Sequence, residues 1–260
     1  MHVRLSIQMY KLAVGALFKN EAHCMREWLE HYLARGVEHF YLINDGSTDN
    51  FMEILSAYID RGVVSLFNAT WDRYLGRQRD MYNHYILPRL QETRWILMVD
   101  LDEFVWSPQG TNFPHLLETY FKRLAQLQIN HTYFGSNGHD TQPASLVGGF
   151  TRRSLDIPSK SEGYKYFLNT EYKFTSINVH YADHADPEDK AKRFEMFSQD
   201  WWRLNHYSCQ SREFWVKIKC TRGDSDNYRT RAENDGFKEL DHNDVEDLGL
   251  YEQNHALGLC

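Results

Sequence analysis

This sequence predicts an α/β fold, a mostly parallel twisted sheet flanked by helices, and two observations predict it. Across the first hundred residues, short apolar runs alternate with helical patterns, and polar turns separate them. The last of these runs, Trp95-Ile-Leu-Met-Val99, passes directly into Asp100-Leu-Asp102-Glu-Phe104. A continuous apolar run of that length reads as a strand buried on both faces, as in a parallel sheet. Helices between successive strands imply right-handed crossovers.

The elements follow in order. Leu12 to Phe18 reads as a strand, ending in the turn Lys19-Asn20. From Glu21 to Arg35, Ala22, Met25, Trp28, Leu29, Tyr32 and Leu33 fall at helical spacing, and Gly36 stops the helix. Val37 to Asn44 is a second strand, followed by Asp45-Gly-Ser-Thr-Asp-Asn50. Asn50 and Glu53 suit a capping pair for a helix over Phe51 to Asp60. Val63 to Phe67 is a third strand, and Gly76 to Leu90 a helix that contains Pro88 near its end. After Pro108 the rhythm changes. An amphipathic helix is expected over Phe113 to Leu127, β-like runs over Thr132 to Phe134 and Phe174 to His180, and a further helix over Pro187 to Phe197.

Composition narrows the function. At 260 residues, 42% hydrophobic and 25% charged, the chain has the makeup of an ordinary globular domain. A net charge of −7 without a Lys/Arg stripe argues against a nucleic-acid partner. Four cysteines without C-x-x-C spacing suggest a reducing compartment. The chain has no run of eighteen apolar residues, so no transmembrane segment is expected. The expected location is cytoplasmic.

Side chains i and i+2 of a strand point the same way, so Asp100 and Asp102 are expected to emerge together at the strand's carboxyl end. Open α/β sheets place their ligand crevice there. Crowded carboxylates repel unless neutralised, and a hard cation such as Mn²⁺ or Mg²⁺ does this while leaving positions free for phosphates. The turns Lys19-Asn20-Glu21 and Asn44 to Asp49 converge on the same crevice, where Asp45 suits a ribose or a base. Its loss is expected to weaken binding of that nucleoside at little cost in stability.

The order of these blocks carries a resemblance. Lys19-Asn-Glu, Arg26-Glu-Trp-Leu-Glu-His-Tyr, Gly36-Val-Glu-His-Phe-Tyr-Leu and Asp100-Leu-Asp-Glu-Phe resemble the glycosyltransferases of family 92 and their family 2 relatives. Phe134-Gly-Ser-Asn-Gly, Asn205-His-Tyr-Ser and Glu213-Phe-Trp-Val-Lys217 resemble its later blocks. One departure is Ser208-Cys209-Gln210, where the family often has a Lys after His-Tyr.

The resemblance implies a GT-A (Rossmann-like) fold with a smaller mixed acceptor-side region. It also implies a nucleotide-sugar donor, expected to be a UDP-sugar, a divalent metal, a glycan or glycoconjugate acceptor, and inversion. Residues 1–11 are then an N-terminal extension and 12–224 the catalytic domain. That domain divides into a nucleotide-sugar half (12–108) and an acceptor-side half (109–224), with 225–260 a polar tail.

Asp102 is expected to hold the metal with help from Asp100, and His206 or His180 is expected to supply a later ligand. Lys217 and Arg222 are expected at the diphosphate. The general base is expected to be Asp140, with Asp183 near His184 as the other candidate. Arg77, Gln78 and Arg79 could touch the nucleotide but read first as a solvated helix face. Two rivals remain. A phosphohydrolase of the haloacid-dehalogenase type would use Asp100 as nucleophile, though Glu103-Phe104 and the fourth-strand position count against it. A carbohydrate- or nucleotide-binding module would keep the fold without turnover.

Overall fold

The computed structural model describes residues 9–155, 163–196, 198–223, 225–226 and 236–259. The expected N-terminal extension, the end of the helix expected at Phe197, and parts of the polar tail lie outside them in whole or part.

A nine-stranded mixed sheet forms the core. Its labelled strands are β1 (Ala13–Phe18), β2 (His39–Asn44), β3 (Val64–Asn68), β4 (Trp95–Met98), β5 (Glu103–Trp106) and β6 (Gln126–Tyr133). Along the sheet the order is β3, β2, β1, β4, strand Tyr164–Asn169, β6, strand Arg203–His206, β5, and strand Arg193–Met196 also pairs with β6. The first four are mutually parallel, while Tyr164–Asn169 runs antiparallel to both β4 and β6.

Alternation along the strands splits the core between two faces. On one face Val14, Ala16, Phe40, Leu42, Trp95 and Leu97 pack with helices α1 (Ala22–Leu33) and α2 (Phe51–Asp60). On the other, Ala13, Leu17, Tyr41, Ile43, Ile96 and Met98 pack with Met81 and Tyr82 of α3 (Arg77–Tyr85).

Three readings need correction. The helix expected over Phe113 to Leu127 ends at Phe121, and β6 already begins at Gln126. Its apolar positions suit either period over so short a stretch, and pairing with Tyr164–Asn169 decides for the strand. The helix expected from Gly76 to Leu90 ends at Tyr85, and a 3-10 turn covers Leu87–Glu92. Pro88 has no N–H to continue the α-helical ladder. The helix expected from Pro187 is a 3-10 turn to Lys192 followed by strand Arg193–Met196.

The described part of the tail is docked. Arg35, fully buried in α1's C-terminal turn, donates to Gln253 and Asn254 at 2.7 Å each. Gly135 has no Cβ where one would meet the His242 carbonyl at 2.3 Å, so the segment Asp241–Asn243 can close on it. Asp241 and Asn243 then accept from the backbone N–H groups of Ser136 and Asn137.

Candidate active site

Strand β4 stops at Met98, and the chain re-enters the sheet at its far end in β5. Residues 99–102 therefore run across the ends of the intervening strands. Asp100 and Asp102 lie in this turn rather than on a strand, which corrects the expected i, i+2 geometry. The Glu103 N–H donates to the Asp100 carbonyl at 3.2 Å, and the Asp100 N–H to Glu103 Oε2 at 2.8 Å.

Helix α1 holds the turn's carbonyls. Trp28 Nε1 donates to those of Asp100 and Glu103 at 3.0 and 3.1 Å, and the Tyr32 hydroxyl to that of Glu103 at 3.1 Å. From the end of the neighbouring strand Arg203–His206, the Tyr207 N–H donates to the Asp102 carbonyl at 2.8 Å. The Trp28 and Tyr32 spacing that marks α1 in sequence thus puts two donors one turn apart against the acidic loop.

Sheet register brings the remaining polar groups beneath it. His206 stands opposite Glu103 on one neighbour and Tyr133 on the other, Leu204 opposite His131, and Ile129 opposite Lys165. One sheet face therefore runs from Leu127, Phe167 and Val105 in the core to Lys165, His131, His206 and Glu103 at the site.

Lys165, 2% exposed, lies 2.6 Å from Asp100 and 3.6 Å from Glu103. Burial disfavours its charge, but Asp100 and Glu103 outweigh that and hold the amine protonated. His131 lies 2.9 Å from Glu103, and burial, with His206 beside it, lowers its pKa to about 4. It is neutral at pH 7. Burial also works against an ionised Asp102, yet Lys219 at 2.9 Å and His206 at 3.7 Å hold its carboxyl well below the usual range.

The turn forms one wall of a cavity of about 290 Å³. Lys19, Glu21, Asp45, Gln78, Asp100, Asp102, His206, Lys219 and Arg222 reach it, and Gly223 and Ser225 close it from the C-terminal side. Glu21 accepts from Arg222 at 2.8 Å, and burial raises its carboxyl pKa against that arginine. Asp45 is buried and ion-paired with Arg77, itself 2% exposed. The first helical residue expected on a solvated face is therefore internal, Gln78 faces the cavity, and Arg79 pairs on the surface with Asp80.

Asn20, at φ +54°, accepts from the Thr48 N–H at 2.7 Å and so joins the two early turns. It lines neighbouring pockets and not this cavity. Lys217 is exposed and pairs with Glu213 at 2.7 Å beside one of them. Asp140 is exposed on a loop, Asp183 binds Ser176 in a surface ribbon, and His180 is exposed with Nδ1 2.9 Å from the Tyr164 carbonyl. None of these last four lines the cavity.

Sequence reasoning missed Lys165, His131, Glu103 and Lys219. A signal for Lys219 existed. If Lys217 pairs with Glu213 on the surface at i, i+4, the residue two further on turns inward.

The donor set fits a divalent ion. Asp102 Oδ1 and Glu103 Oε1 lie 3.7 and 3.9 Å from His206 Nε2, and Glu103, His131 and His206 present ligand atoms within 4.8 Å of one another. Carboxylate oxygen with neutral imidazole suits first-row divalent metals.

The family model for glycosyltransferase family 92 matches residues 11–247. Among curated relatives, a family 92 protein of rice (Oryza sativa subsp. japonica) is 23% identical over 205 residues, covering 77% of this chain and 34% of that protein. One from Arabidopsis thaliana is 21% identical over 179 residues, covering 65% and 30%. The chain spans about a third of the length of the curated relatives it matches. Among solved structures, S. aureus TarS 1-349 in complex with UDP-GlcNAc is 14% identical, with a TM-score of 0.45, covering 94% of this chain and 72% of that one. No helix of the described residues is long and apolar enough to cross a membrane. The chain belongs to glycosyltransferase family 92.

Proposed function

We propose that this chain transfers a sugar from a nucleotide-diphosphate donor, a UDP-sugar, to an acceptor hydroxyl, with inversion and with a divalent metal. The observation that carries the reading is the cavity itself. Asp102 and His206 line it side by side with Lys219 and Arg222, on a chain of this family.

Asp102, His206 and Glu103 would hold the ion, which as a Lewis acid neutralises charge growing on the leaving diphosphate. Arg222 and Lys219 are the cations placed to bind the diphosphate oxygens. Lys165 fixes Asp100 in the turn and opposes the rise in its pKa that burial imposes. Trp28, Tyr32 and Tyr207 hold that turn's backbone, so the carboxylates need no reorganisation when substrate arrives. The donor's base and ribose would lie toward Lys19, Asp45 and Gln78 at the cavity's other side.

The test is calorimetry with UDP, paired with a hydrolysis screen of nucleotide sugars in Mn²⁺ and Mg²⁺. UDP affinity should fall sharply with EDTA and with Asp102→Ala, and one UDP-sugar should be hydrolysed. Equal UDP affinity in all three conditions would sink the metal-coupled reading. UDP binding without turnover of any donor, even with glycan acceptors added, would favour a binding module.

A further inference from the structure

Both acids of the Asp-x-Asp turn are matched by lysines, but the lysines are held differently. Lys165 is 2% exposed on an internal strand and is shared between Asp100 and Glu103. Lys219 ends the short turn Trp215–Lys219, lines the cavity and is 12% exposed. Among the described residues, its hydrogen-bond partner is Asp102 Oδ2 alone, at 2.9 Å. Arg222, the other cation of this segment in the cavity, is fastened by Glu21 and by the Lys19 carbonyl at 2.8 Å each. Of the three cations, Lys219 is the one that can leave its partner by a change of side-chain rotamer.

We propose that Lys219 acts as an internal counter-ion that holds the metal position of Asp102 closed until a nucleoside diphosphate arrives. An ammonium on Asp102 compensates the charge that would attract a dication, and it repels any dication approaching Asp102 and His206. A diphosphate changes this balance. It brings negative charge to the same cavity, so Lys219 can exchange Asp102 for a phosphate oxygen as the ion takes its place. Metal and nucleotide then bind as a coupled pair, each raising the affinity of the other by the same factor. This inference rests on the glycosyl-transfer reading and adds that the free chain discriminates against metal alone.

The experiment is Mn²⁺ binding, followed by the electron paramagnetic resonance of free Mn²⁺ and by calorimetry, on the full chain with and without UDP. In the wild type, UDP should raise Mn²⁺ affinity by about 5- to 150-fold. Lys219→Met should bind Mn²⁺ alone more tightly by a similar factor and respond less to UDP. Lys219→Gln serves the same purpose should the Met variant fail to fold. Lys219→Arg, which retains a cation on Asp102, should keep the weak Mn²⁺ binding of the wild type in the absence of UDP. Equal Mn²⁺ affinity without UDP in the wild type and a folded neutral variant would overturn the inference while leaving glycosyl transfer standing. A wild-type chain that binds no UDP even with Mn²⁺ would overturn the glycosyl-transfer reading, and this inference with it.

Discussion

The Lys165 ammonium lies 2.6 Å from the Asp100 carboxylate, beneath the acidic turn and almost wholly out of solvent. The pair joins the strand Tyr164–Asn169 to the turn that leaves its antiparallel neighbour β4, with Met98 opposite Tyr166. Replacing Lys165 by Met would leave Asp100 and Glu103 facing each other without the shared cation. The expected loss is about 3–5 kcal/mol in denaturant unfolding, toward the lower end because Asp100 is partly solvated. Adding Glu103→Gln to that variant should recover part of it. A loss below about 1 kcal/mol would mean that water already neutralises the site.

His206 and His180 separate cleanly in space. His206 Nε2 stands 3.7 Å from Asp102, whereas His180 is exposed beside Tyr164. His206→Ala should weaken Mn²⁺ binding in the presence of UDP by about 10–100-fold, by analogy with perturbations at other metal sites. His180→Ala should leave the titration unmoved. The reverse pattern would remove His206 from the ligand set.

Asp45 carries a structural cost that the bare turn did not suggest. Its carboxylate meets the guanidinium of Arg77, and both side chains are buried. Asp45→Ala should therefore lower stability by about 3 kcal/mol, because a buried arginine loses its counter-charge. Arg77 keeps its contacts to the Trp71 and Ser225 carbonyls, which limits the loss. Thermal melts check this, and a melting temperature within a degree of the wild type would restore the simpler turn reading.

His31 gives a pH dependence with a definite sign. It is fully buried against the Val105 carbonyl, and burial, with Arg35 nearby, holds its pKa well below the ordinary value. The unfolded chain takes up a proton near pH 6.5, and the folded chain does not until lower pH. Stability is therefore fully present above about pH 6.5 and falls as pH drops below it. Denaturant midpoints measured between pH 7.5 and 5 should decline in the wild type and decline less in His31→Gln. Equal slopes would assign the acid sensitivity to other groups.

Much of the first half of the fold was legible in the sequence. The strands over residues 13–18, 39–44 and 64–68 and the helices over 22–33 and 51–60 fall within a residue or three of their expected bounds. Each has a continuous apolar run or a helical stripe ended by Gly or a polar turn. The second half was less legible. Tyr164–Asn169 and Arg203–His206 carry Lys, Arg, Asn and His at positions that a sheet interior would normally fill with apolar side chains. Lys165 is buried against Asp100 and Glu103, Arg203 meets Asp247, and Asn205 accepts from Trp106 Nε1, partners distant in the chain that no local pattern displays.

The sequence by itself determined the alternation of strand and helix in the first half, the acidic pair Asp100 and Asp102 just past a buried run, and the order of blocks that marks the family. These depend on residues close in the chain, where periodicity and turn chemistry act directly. Tertiary structure alone decided which cation meets which carboxylate: Lys165 on Asp100, Lys219 rather than Lys217 on Asp102, Arg77 on Asp45. Such pairs depend on strand register, where a shift of one residue turns every side chain to the opposite face, and on helical phase, where a step of two does nearly the same.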